Sequence, residues 1–82
     1  MGSAQKTTRP KERINQLQSE FGKLVRAKRL ALKLSQEALA ELAGLHFTYV
    51  SSVERGERNI SLSNIAKFAK ALECSMKDLM PF

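Results

Sequence analysis

An 82-residue chain with 14 Lys and Arg against 8 Asp and Glu, a formal charge of +6 and 43% hydrophobic residues has room for one domain and is too apolar for general disorder. Its single Cys excludes an internal disulfide, and one Cys with one His excludes a zinc site of four ordinary protein ligands. No apolar run approaches the roughly 18 residues of a membrane helix, the first residues lack the apolar stretch of a secretory signal, and a lone thiol suits the cytoplasm, the expected location.

The charge is uneven. Residues 1–33 hold nine basic side chains against Glu12 and Glu20, a net +7, while residues 34–82 net −1. Residues 1–10 are polar, basic and without periodicity, which predicts a flexible arm ahead of one domain over residues 11–82. Ile14, Leu17, Phe21, Leu24, Val25 and Leu32 then recur at helical spacing, with Gly22 the candidate break. Residues 10–20 either lengthen this helix or add to a dimer contact.

Ser35 is a good N-cap for a short helix carrying Ala38, Leu39, Leu42 and Ala43, and Gly44 ends it with Leu45 as the following apolar contact. A second short helix runs from His46 to Arg55 and stops at Gly56. Ser61 caps a further helix with Leu62, Ile65, Phe68, Ala69 and Leu72 inward. Ser75 and Asp78 have capping-box spacing and open a last one toward Leu79 and Met80. No segment alternates as a strand does. The fold class is all-α, a compact five-helix bundle.

Two short helices joined at Gly44 have helix-turn-helix spacing, and Ala40 is small enough for two backbones to cross there. On a wheel of about 100° per residue, Val50 and Val53 mark the buried side of the second helix and Tyr49 and Glu54 its borders. Thr48, Ser51 and Ser52 lie opposite, with Phe47 at their edge. A face of small hydroxyls can lie close in a major groove about 12 Å wide. The competing reading is an ordinary polar surface.

The runs Leu34-Ser35-Gln36-Glu37-Ala38-Leu39-Ala40, Ala43-Gly44-Leu45, Thr48-Tyr49-Val50-Ser51 and Val53-Glu54-Arg55-Gly56-Glu57-Arg58-Asn59 resemble the XRE, or Cro/phage-repressor, helix-turn-helix family over residues 21–80. Within it, the compact length and the run from Thr48 to Gly56 are most similar to the controller proteins of bacterial restriction–modification systems. The resemblance implies a phage-repressor-like DNA-binding domain and a transcriptional regulator that binds an operator as a homodimer, its two recognition helices about 34 Å apart. It implies double-stranded DNA as partner, RNA polymerase as a further candidate, and no cofactor, metal or membrane. Phe47, Thr48, Ser51 and Ser52 match base-facing positions, and Lys33, Gln36, Tyr49, Arg55, Arg58 and Asn59 phosphate-binding ones. Arg29 and Glu54 match a buried structural ion pair.

Relatives usually place Arg or Gln on the base-facing set. None of these four residues can make a bidentate contact to guanine or adenine, so modest direct readout with a large share from DNA shape is expected. The apolar C-terminus of Met76, Leu79, Met80 and Phe82 either closes the core or meets a symmetry mate, and a two-fold dimer interface is the default expectation. His46 reads as a helix-start residue and Cys74 as a core filler. No nucleophile–base pair, carboxylate pair or phosphate loop is present, so the chain is not expected to be an enzyme. The alternatives are an antitoxin of the same fold, which binds a protein toxin and its own operator, and a helical protein–protein adaptor.

Overall fold

Pro10 opens helix α1 (Pro10–Ala31), where its missing N–H costs nothing and its fixed φ suits a helical start. The computed structural model of the chain describes residues 10–81; the rest of the expected N-terminal arm, and Phe82, lie outside the described residues. α1 runs unbroken through Gly22, so residues 10–20 lengthen the first helix, to about 33 Å in all. Phe21 and Val25 are buried, while Ile14, Leu17 and Leu32 stay exposed at the two ends of the stripe.

Helix α2 (Gln36–Ala43) begins where the Ser35 hydroxyl accepts the Ala38 N–H at 3.0 Å, and it buries Leu39, Ala40 and Ala43. Helix α3 (Phe47–Glu54) follows after a turn through Gly44, and helix α4 (Leu62–Ala71) begins at Ser61, whose hydroxyl accepts the Asn64 N–H at 3.2 Å. α3 packs on both α1 and α2, and α4 closes the far side of α2. Phe68 sits at the centre, edge-on to Phe21 at 6.0 Å and stacked with Tyr49 at 6.4 Å. Leu62, expected inward, is 74% exposed. At the first position of α4 its side chain leans back over the preceding turn, beyond the core.

All four helices end in one way. Gly44 donates to the Glu41 carbonyl and Leu45 to that of Ala40; Gly56 donates to Val53 and Glu57 to Ser52. Lys33 donates to Leu30 and Leu34 to Arg29; Glu73 donates to Lys70 and Cys74 to Ala69. This is the Schellman closure, and its turning residue must be left-handed. Gly44 and Gly56 do this freely at φ 68° and 76°, whereas Lys33 and Glu73 hold φ 61° and 59° with a Cβ. Such strain costs about 1 kcal/mol. Glu73→Gly is therefore expected to raise stability by about 0.5–1 kcal/mol and the thermal midpoint by about 2–6 °C, followed by circular dichroism. A lowered midpoint contradicts the strain argument.

The fifth expected helix is a single 3₁₀ turn, Lys77–Leu79, so the described residues form four α-helices and that turn. Its capping box does form: the Ser75 N–H donates to Asp78 Oδ2 at 3.1 Å and the Asp78 N–H to Ser75 Oγ at 3.2 Å. The bond from the Ser75 backbone, then that with its hydroxyl, holds the Asp78 carboxyl below the usual range. What stops the helix is Pro81, which pushes Met80 into extended backbone at ψ 129°. Leu79 then turns fully into the core between α1 and α4. It is core and not the dimer-interface residue expected, while Met76 and Met80 are half-buried against the same core. Cys74 also packs there, and burial pushes its thiol pKa up, away from thiolate chemistry.

Candidate nucleic-acid interface

α3 is anchored from behind. Val50 and Val53 are buried, each contributing about 1.5–3 kcal/mol by leaving water. Their burial turns Phe47 and Thr48 outward, Phe47 with 42% of its surface exposed. Ser51 is half-buried, its hydroxyl accepting Arg55 Nη1 at 2.5 Å one turn along.

Ser52 departs from the expected base-facing set, being only 5% exposed. Its hydroxyl donates to the Tyr49 carbonyl at 2.8 Å and accepts Arg58 Nε at 2.9 Å. The wheel placed it opposite the valines, but the chain after Gly56 folds back over that flank, with the Glu57 N–H on the Ser52 carbonyl at 3.0 Å. Ser52 thus positions Arg58 instead of meeting bases.

Arg58 is exposed and lies over the Tyr49 ring, 5.6 Å from its centre. A guanidinium over a ring face is held without losing its outward donors. The Tyr49 hydroxyl accepts Asn64 Nδ2 at 2.9 Å, so Tyr49 joins α4 to Arg58. The hydroxyl expected at a phosphate meets a side chain from the next helix. Asn59 accepts a hydrogen bond from Gln18 of α1. Arg55 pairs with Glu57 on the exposed end of α3.

The expected Arg29–Glu54 pair is present and buried, the two side chains 7% and 3% exposed. Arg29 Nε and Nη2 donate to the two Glu54 oxygens at 2.6 and 2.9 Å, and Nη1 to the Leu34 carbonyl at 2.8 Å. The bond to Glu54 raises the Arg29 pKa against the effect of burial. Gln36 Nε2 donates to Glu54 Oε1 at 2.9 Å. One carboxylate thereby fixes α1, α3 and the first residue of α2. Gln36 is held at that helix start, where N–H groups and the helix dipole favour an anion. Lys33 is exposed in the turn just before it.

The structure therefore gathers Phe47, Thr48 and Ser51 on one ridge, with Lys33 and Gln36 at the start of α2 and Arg55, Arg58 and Asn59 beyond the end of α3. Sequence reasoning missed Asn64, Gln18 and Glu57 as the side chains that hold this set. Asn64 and Glu57 signal only as polar residues beside a helix end, and Gln18, inside α1, gives no local signal. Among the described residues, no cluster of His, Cys, Asp or Glu could hold a metal ion and no helix is long and apolar enough to cross a membrane.

Residues 25–79 match the helix-turn-helix family model. The control protein C.BamHI of Bacillus amyloliquefaciens is 49% identical over 69 residues, 83% of this chain and 85% of that one. The control protein C.SmaI of Serratia marcescens is 54% identical over 56 residues, 68% of this chain and 67% of its own. The crystal structure of the restriction-modification controller protein C.AhdI from Aeromonas hydrophila superposes with a TM-score of 0.75 at 49% identity, covering 77% of this chain and 96% of that one. With the motif, the fold and these likenesses in agreement, the chain belongs to the XRE-type helix-turn-helix family of transcription regulators and is similar within it to the restriction–modification control proteins.

Proposed function

We propose that this regulator acts in the cytoplasm as a homodimer, setting α3 of each copy into successive major grooves of an operator. The observation that carries this reading is the outward ridge of Phe47 and Thr48, backed by two buried valines and flanked on both sides by cation or amide donors. Thr48 meets a thymine methyl and Phe47 stacks beside one. Gln36 and Lys33 take phosphates on one flank, and Arg55, Arg58 and Asn59 on the other, with Tyr49 supporting Arg58. Few direct base contacts leave much of the selection to DNA shape. The half-exposed Met76 and Met80 face the second copy. The similarity to proteins named as controllers supports control of restriction–modification genes, with RNA polymerase as the machinery acted on.

The test begins with a duplex selected from a random-sequence pool, followed by fluorescence anisotropy over a salt series. The selected duplex should bind about 10³-fold tighter than random DNA. Phe47→Ala combined with Thr48→Ala should lower that preference by about tenfold or more while random binding stays. Unchanged preference rejects the ridge as the reading surface.

A further inference from the structure

Arg55 and Glu57 stand just past the end of α3, each with more than half of its side chain in solvent. Arg55 Nε and Nη2 donate to the two Glu57 oxygens at 3.1 and 3.2 Å. This is the paired fork that a guanidinium makes with a carboxylate or a phosphate. Nη1 turns the other way, onto the Ser51 hydroxyl. The guanidinium is therefore laid along the outward ridge with all three nitrogens engaged. An ion pair this exposed contributes little to the fold. Its geometry is that of an anion site already filled.

We propose that Glu57 occupies on Arg55 the place of a DNA phosphate, and that duplex binding exchanges one anion for the other. This rests on the reading of α3 as the duplex-facing helix. In the free protein Arg55 and Glu57 cancel as charges near the ridge. When a phosphate takes the guanidinium, the freed carboxylate gathers a cation from solution, so the net counterion release is about one smaller than for an unpaired arginine. Glu57 thus restrains binding to every duplex alike. It sets the protein concentration at which an operator fills, without altering which operator is chosen.

A cycle of Glu57→Gln, Arg55→Gln and the double variant tests this, with anisotropy on the selected duplex and on a random duplex across a potassium chloride series. Glu57→Gln should tighten both duplexes about two- to fivefold and steepen the dependence of log affinity on log salt by about one. In the Arg55→Gln background both changes should vanish. A Glu57→Gln gain of equal size without Arg55 means plain charge repulsion and overturns the proposal, as does no change in affinity or slope in the single variant. Wild-type protein that binds neither duplex removes the reading of α3 and this inference together; wild-type binding with a flat response to Glu57→Gln removes this inference alone. Far-ultraviolet circular dichroism should show unchanged helix content, since both positions are exposed.

Discussion

Gly22→Ala should destabilise the protein by about 2 kcal/mol or more and lower its thermal midpoint by roughly 10 °C or more. In an exposed helix the same change gains about 1 kcal/mol, because Ala is the better helix former. Here the sign reverses. A Cβ on Gly22 would lie 2.3 Å from the Val53 carbonyl oxygen and 2.9 Å from that of Glu54. Both are backbone atoms in the last turn of α3, so no rotamer change relieves the contact. Either α1 and α3 move apart, opening the core around Val25 and Val53, or the end of α3 unwinds. Thermal unfolding by circular dichroism decides it, and a midpoint at or above wild type contradicts the close approach. Any folded fraction should bind DNA poorly, since the tilt of α3 against α1 is set at this crossing.

Glu54→Ala should cost about 3–5 kcal/mol in urea unfolding, leaving a domain of this size largely unfolded at 37 °C. The loss is not the value of one ion pair. It comes from leaving the Arg29 guanidinium buried without its anion, and from freeing Gln36. Arg29→Met alone should be nearly as damaging, as it strands the carboxylate and the Leu34 carbonyl. The combination of Arg29→Met with Glu54→Leu should be more stable than either single variant, because no unpaired charge remains inside. A double variant worse than both singles would show that the pair stabilises the fold beyond the cost of burying it. In the double variant Gln36 still lacks its Glu54 anchor, so on the proposed reading DNA affinity should stay below wild type even where stability recovers.

Local chemistry was readable from the chain, and spatial return was not. Ser35, Ser61 and the Ser75–Asp78 box cap within three residues of themselves, and all three formed as their spacing dictates. Val50 and Val53 were placed by helical angle alone and are buried. The angle misled at Ser52, because it measures direction from the core and takes no account of the segment at 56–58 folding back. Leu79 had two possible fates in sequence, core or partner, and only the course of the chain past α4 decides for the core. The expected last helix stops at one turn because Pro81 holds Met80 in extended backbone. Gly22, the candidate break, is instead a point of close approach between α1 and α3, a role set by a residue 31 positions later.

The four Schellman closures have an evolutionary consequence. Each junction is closed by a pair of main-chain bonds, so the angle at which α3 is presented draws nothing from the side chains of Phe47 or Thr48. Those two outward positions can mutate without disturbing the frame that carries them. On the proposed reading, lineages built on this scaffold can drift in the directly read part of their target while keeping the same skeleton, and transplanting these side chains between relatives should carry that part across, leaving the share set by DNA shape behind.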